Sequence, residues 1–176
     1  MTHLRSRPRV ALFLDVDGVL NSHAFVLERG KRKRPPYELH ERLDPGAVRR
    51  LAWLHEQLDR KGLEVVCVLS STWRLVADRG REATEAALRV HAPGLRLHDE
   101  TPDLEEELGP EPPRGEEVAR WLEAHPEVER FVILDDHDDL APYEHRLVQT
   151  ARAVGLSDDD CRRALELLLG TAPAHR

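Results

Sequence analysis

Three short, almost unbroken apolar runs organise this chain: residues 10–14 (VALFL), 64–69 (EVVCVL) and 131–134 (FVIL). None shows the polar alternation of a half-exposed strand, so each predicts a strand covered on both faces. Helical spacing fills the intervals. Asp44-Pro45 offers a cap followed by proline in the first turn, Val48, Leu51, Leu54 and Leu58 follow on one face, and Gly62 ends the run. A second helix is predicted over 75–91, closed by Pro93-Gly94, and a third over 115–125 with Val118, Trp121 and Leu122 on one side. Ser157 caps a final helix that runs through Leu169 to Gly170. Residues 95–97 and 147–148 predict short strands. Residues 19–43 have no clear period and contain Pro35-Pro36, so they read as an extended excursion or hairpin, a flap.

Buried strands alternating with helices imply an α/β fold, a Rossmannoid parallel sheet of about five strands flanked by helices. One domain over 10–170 is expected, preceded by a segment at 1–9 and followed by a flexible tail at 171–176. No interval is long enough for a large cap. Each of the three strands also delivers polar residues at its C-terminal end: Asp15 and Asp17, then Ser70, Ser71 and Thr72, then Asp135 and Asp136. Ligands of open α/β sheets bind outside those ends. Three polar clusters in equivalent positions predict one shared site.

Composition narrows the setting. With 176 residues, 40% hydrophobic and 34% charged, the chain reads as a soluble globular protein. No apolar stretch reaches the roughly 18 to 20 residues that span a bilayer, and the run behind the N-terminus is too short for a signal peptide. Cys67 and Cys161 have no metal or redox spacing, which suits core positions in a cytoplasmic protein. A net charge of -7 argues against coating nucleic acid through overall charge. The charge is uneven, however: RGKRKR at 29–34 carries five cations, while 99–112 is acidic. That basic run, placed in the flap, is expected over the entrance of the site, favouring a polyphosphorylated or nucleotide-like substrate.

The carboxylates at the strand ends would repel one another unless neutralised. A hard divalent cation does so, and Mg²⁺ is commonly held by one or two carboxylates plus substrate phosphate. Such an ion also offsets repulsion between an anionic nucleophile and an anionic ester. The hydroxyls of Ser70 or Ser71 suit phosphoryl oxygens, and a cation is needed opposite the developing charge. Only three lysines exist, Lys31, Lys33 and Lys61, so Arg114 at the head of RGEEVARWL is the foremost candidate.

The set FLDVDGVLN, VLSSTWR, RGEEVARWL and VILDDHDD resembles the four ordered motifs of the haloacid dehalogenase (HAD) superfamily. It is most similar to the small HAD domain of Swiss Army Knife RNA repair proteins, over about residues 10 to 169. The resemblance implies that Asp15 is a nucleophile forming an aspartyl-phosphate and that Asp17 is the acid, then the base. It further implies that Ser70 holds the phosphoryl group and Arg114 supplies the cation. Mg²⁺ is implied on Asp15, the Asp17 backbone carbonyl and Asp135, with Asp136 in support. An aspartate two positions after the nucleophile favours phosphatases over dehalogenases and P-type ATPases.

Three hydroxyls in a row leave Ser71 and Thr72 as alternatives to Ser70, and Arg74 as an alternative to Arg114. Ser71, Thr72, Arg74, Gly18 and Asn21 are the expected substrate contacts. His137 reads as a loop residue rather than a transition-metal ligand, because no second histidine has ligand spacing. Trp73 and Trp121 read as core or pocket-wall residues. The expected activity is Mg²⁺-dependent phosphomonoester hydrolysis on a phosphorylated small molecule or nucleic-acid end. Phosphotransfer to another acceptor and a non-catalytic phosphate-binding domain are the competing readings. A response-regulator receiver is disfavoured, since the second strand ends in serines and no lysine follows Lys61. An open mouth suits a bulky substrate, or closure by another subunit as in a homodimer.

Overall fold

The computed structural model describes residues 7–170, so the predicted tail at 171–176 and most of the segment at 1–9 lie outside the described residues. Five parallel strands form one sheet: β1 (Arg9–Leu14), β2 (Glu64–Leu69), β3 (Asp99–Glu100), β4 (Val128–Asp135) and β5 (Leu147–Gln149). Their spatial order is β3-β2-β1-β4-β5, with β1 at the centre. The apolar runs of β1, β2 and β4 lack alternation because both faces of the sheet are covered. On one face Val10, Leu12 and Leu14 join the cores of α2 (Pro45–Arg60), α3 (Gly80–His91) and α6 (Asp158–Leu169). On the other, Ala11 and Phe13 pack with Val118 and Trp121 of α5 (Arg114–Ala124). There Phe13 meets Trp121 edge-on at 5.2 Å and Phe131 at 5.9 Å, geometries that suit the ring quadrupole.

The caps match the sequence. Asp44 accepts from the Gly46 amide at 2.8 Å with Pro45 opening α2. Ser157 and Asp160 form a reciprocal capping box on α6, which Gly170 terminates in a left-handed conformation. Both cysteines are buried and free.

Three elements differ from expectation. The insert is helical: α1 (His23–Arg32) begins at Ser22, whose hydroxyl accepts from the Phe25 amide, and a 3₁₀ turn covers Leu39–Arg42. Its apolar residues are too few for a periodic stripe, and none of α1 is buried. The helix is instead tied at its base, where His23 and Ala24 amides donate to the Arg152 and Ala153 carbonyls at 2.9 and 3.2 Å. The predicted helix at 75–91 begins later, because Thr72–Leu75 forms a separate 3₁₀ turn before α3. The third predicted strand sits a few residues on. Leu95 and Leu97 are buried as core-filling side chains, while ladder pairing starts only at Asp99 beside Val68. A single turn, α4 (Glu105–Leu108), lies in the acidic stretch. Among the described residues no large cap stands over the sheet, and no helix is long and apolar enough to cross a membrane.

Candidate active site

The sheet register builds the site. Leu14 lies beside Leu69 on one flank and Leu134 on the other. The residues that follow, Asp15, Ser70 and Asp135, therefore emerge together. The Asp15 amide donates to the Leu134 carbonyl at 3.0 Å and the Ser70 amide to the Leu14 carbonyl at 2.8 Å, carrying the ladder to the point where the side chains turn functional.

Asp15 and Asp135 are buried, at 3% and 0% exposure. Arg114, the first residue of α5, reaches between them: Nη1 lies 3.2 Å from Asp15 Oδ1 and Nε 3.5 Å from Asp135 Oδ2. The same Nη1 also donates to the Ser70 carbonyl. Burial, reinforced by the neighbouring Asp135 charge, pushes the Asp15 carboxyl up to about 7, while Arg114 and the Ser71 hydroxyl pull the other way. Burial likewise raises Asp135, against Arg114 and the His137 amide, which donates to Asp135 Oδ1 at 2.9 Å.

A second layer lies over the turn after β1. Gly18 adopts φ +78°, and a Cβ there would overlap the Asp136 side chain, lying 2.8 Å from its Cβ. Glycine is required on both counts. Thr150 Oγ1 donates to the Gly18 carbonyl at 2.9 Å, fixing the turn to β5. Asp136 is held by Arg152 Nε at 2.9 Å, while its other oxygen, 3.1 Å from His137 Nδ1, makes no hydrogen bond. Asp17 is half-buried, and both its oxygens accept: Oδ1 from Asn21 Nδ2 at 2.6 Å, Oδ2 from Trp73 Nε1 at 2.9 Å.

The donor set fits a hard divalent cation. Four carboxylates, Asp15, Asp17, Asp135 and Asp136, face two arginines, Arg114 and Arg152, which leaves anionic charge uncompensated. Asp135 Oδ2 and Ser70 Oγ are buried with no hydrogen-bond partner, and buried polar atoms ordinarily have one. Ligand atoms of Asp135, Asp136 and His137 also lie within 4.8 Å of one another. Oxygen donors dominate, the pattern that Mg²⁺ prefers.

The predicted residues separate into two groups. Asp15, Asp17, Gly18, Ser70, Ser71, Arg114, Asp135 and Asp136 come together at the strand ends. Ser71 hydrogen-bonds Asp15 and caps the following turn by accepting from the Trp73 amide, whereas Ser70 keeps its hydroxyl unpartnered. Thr72 is exposed on that turn, without a bond to the acids. Arg74 is engaged within the fold. Its side chain is 3% exposed, paired with Glu117 at 2.5 Å, and donates to the carbonyls of Ser71, Thr101 and Pro102, so it braces the loop. Asn21 is committed as well, accepting from the Gly18 amide while donating to Asp17. The basic run is only partly neutralised: Lys31 and Arg32 share Glu28, Lys33 pairs with Glu41, and Arg29 stacks over Tyr37 at 4.1 Å, so its five cations meet two carboxylates.

Sequence reasoning passed over Glu117 and the polar role of Trp73. Glu117 was detectable, since it falls at helical spacing with Arg114 and Trp121 on the buried face of α5. Nothing local announces that the Trp73 indole reaches an aspartate 56 positions earlier.

The chain matches the family of HAD domains in Swiss Army Knife RNA repair proteins over residues 11–161, a span that holds every residue of the cluster. No match was found among curated proteins. A central-strand Asp-x-Asp, serines ending β2, an arginine heading α5 and paired aspartates ending β4 thus occur in order within one matched span, and the chain belongs to the HAD domain family of Swiss Army Knife RNA repair proteins, within a superfamily of phosphatase- and phosphotransferase-type hydrolases.

Proposed function

We propose that this domain is a Mg²⁺-dependent phosphomonoester hydrolase working through an aspartyl-phosphate on Asp15. The observation that carries the reading is the buried Asp15 carboxylate, 3.2 Å from Arg114 and next in register to the unpartnered Ser70 hydroxyl. A nucleophile, a cation and a hydroxyl donor thereby converge at one point.

In this reading an Asp15 oxygen attacks phosphorus and the bond to the ester oxygen breaks. Asp17 gives that oxygen a proton. Asp17 then takes a proton from water as the water attacks the aspartyl-phosphate, which releases phosphate and restores Asp15. Arg114 and the Ser70 hydroxyl face the phosphoryl oxygens, where charge accumulates. Asp15 and Asp135, with Asp136 in support, would hold Mg²⁺, whose charge screens the approach of an anionic carboxylate to an anionic ester. The substrate class we favour is a nucleotide or nucleic-acid-end phosphate, supported by the uncapped mouth and by the RNA repair proteins for which the family is described.

The test is steady-state turnover of p-nitrophenyl phosphate and of a panel of nucleotides, RNA ends and sugar phosphates, with Mg²⁺ or with EDTA. Multiple turnover that needs Mg²⁺ and disappears in Asp15→Asn is the expected result. Ligand binding without turnover across the panel would identify a phosphate-binding domain instead. Phosphate appearing on an added alcohol rather than in solution would identify a phosphotransferase.

A further inference from the structure

Trp73 is 1% exposed and belongs to the main hydrophobic core. Packing alone does not call for an N–H. What distinguishes tryptophan is its single N–H, and a buried indole N–H needs an acceptor. Here that acceptor is Asp17 Oδ2, at 2.9 Å. Opposite, Asn21 Nδ2 donates to Asp17 Oδ1 at 2.6 Å. The Asn21 amide is itself oriented, because its oxygen accepts from the Gly18 amide at 3.1 Å.

Each Asp17 oxygen therefore receives one directed N–H, and the carboxylate plane is fixed from both sides. An oxygen with two lone pairs keeps one free after accepting a single bond, so the group can still carry and deliver a proton. The ring of Trp73 is also immobilised: Arg79 stacks over it at 4.9 Å, and its own amide is bonded to the Ser71 hydroxyl. One short turn, Thr72–Leu75 with its cap Ser71, thus touches both catalytic aspartates, Ser71 at Asp15 and Trp73 at Asp17.

We infer that Trp73 and Asn21 are positioning residues that clamp the Asp17 carboxylate and aim it at the leaving-group oxygen. This rests on the hydrolase reading above. It makes a prediction that a merely structural role does not. A proton is needed most when the leaving group is a poor one, such as an alkoxide, and least when it is p-nitrophenolate. A misaimed acid therefore penalises alkyl esters selectively, up to the roughly 10²- to 10⁴-fold that general acid catalysis contributes.

The experiment compares kcat/KM, which reports the first transfer step, for an alkyl phosphate and for p-nitrophenyl phosphate. The variants are Trp73→Phe, which keeps a ring and loses the N–H, and Asn21→Ala, which spares the core should Trp73→Phe fail to fold. The expected result is a loss at least about tenfold larger on the alkyl ester, and a loss of that selectivity when either change is combined with Asp17→Asn. Equal losses on both esters, or none, with an active wild type would overturn the clamp and leave the hydrolase reading standing. No Asp15-dependent turnover by the wild type would overturn both.

Discussion

Gly115→Ala tests whether the position of Arg114 is set by backbone contact. A Cβ at residue 115 would overlap the Ala141 carbonyl oxygen and stand 3.0 Å from the Ala141 carbonyl carbon and 3.1 Å from that of Leu140. Carbon atoms prefer about 3.5–4.0 Å, and every obstructing atom is backbone, so no side chain can swing aside. Relief requires the start of α5 to withdraw by roughly 1 Å. Arg114 would withdraw with it, stretching its 3.2 and 3.5 Å approaches to Asp15 and Asp135 past ion-pair range. At an effective dielectric near 20, each stretch forfeits about 1 kcal/mol. Overpacking adds about 1–3 kcal/mol. The variant should lose about 3–5 kcal/mol in urea denaturation. A 1 Å misplacement of a positioning group costs on the order of 10²-fold, and kcat/KM on p-nitrophenyl phosphate should fall by that factor. Gly30→Ala is the control: nothing lies within 4 Å of its Cβ, and a helical site should hold or gain stability. Wild-type stability and kinetics in Gly115→Ala would refute the argument.

Ser70→Ala removes a buried hydroxyl that has no partner, so unfolding free energy should change by less than about 1 kcal/mol while kcat/KM falls; a large stability loss would mean the hydroxyl is bonded within the fold. Glu117→Ala strands the buried Arg74 guanidinium and should cost about 3–5 kcal/mol, much of it recovered in the double variant Arg74→Met with Glu117→Leu; chemical denaturation of both variants checks this. The Asp15 carboxyl sits near 7 in the folded protein and near 3.9 unfolded. Between those values the folded state binds the extra proton, so in EDTA stability should fall as pH rises from about 4 to about 7. Asp15→Asn should flatten that slope, and Mg²⁺ should oppose it in the wild type. An identical slope in both proteins would remove the claim.

Much of this site is legible in one dimension because parallel strands deliver their C-terminal residues to a common edge. Asp15, Ser70 and Asp135 each follow an apolar run, and register does the rest. Arg114 was legible as a cation at a helix head, and the fold brings it to Asp15 and Asp135. What escaped depended on side-chain reach. Arg74 and Asn21 carry the right chemistry in the right segments, yet one is drawn inward by Glu117 and the other by Asp17 and the Gly18 amide. The helix α1 escaped for a different reason: it buries nothing, so it leaves no hydrophobic stripe to read, and only Ser22 and the basic last turn mark its ends.

The two outer strands of the sheet are β3, with two residues, and β5, with three. An exposed edge recruits other chains in proportion to the row of unpaired backbone groups it presents, and short edges blunt that tendency. This domain therefore offers almost no template for strand addition, although the rim that carries the acidic cluster stays open. Self-association through sheet extension is disfavoured. Lengthening β5 with residues of high β propensity is consequently a route to aggregation rather than to a sturdier fold.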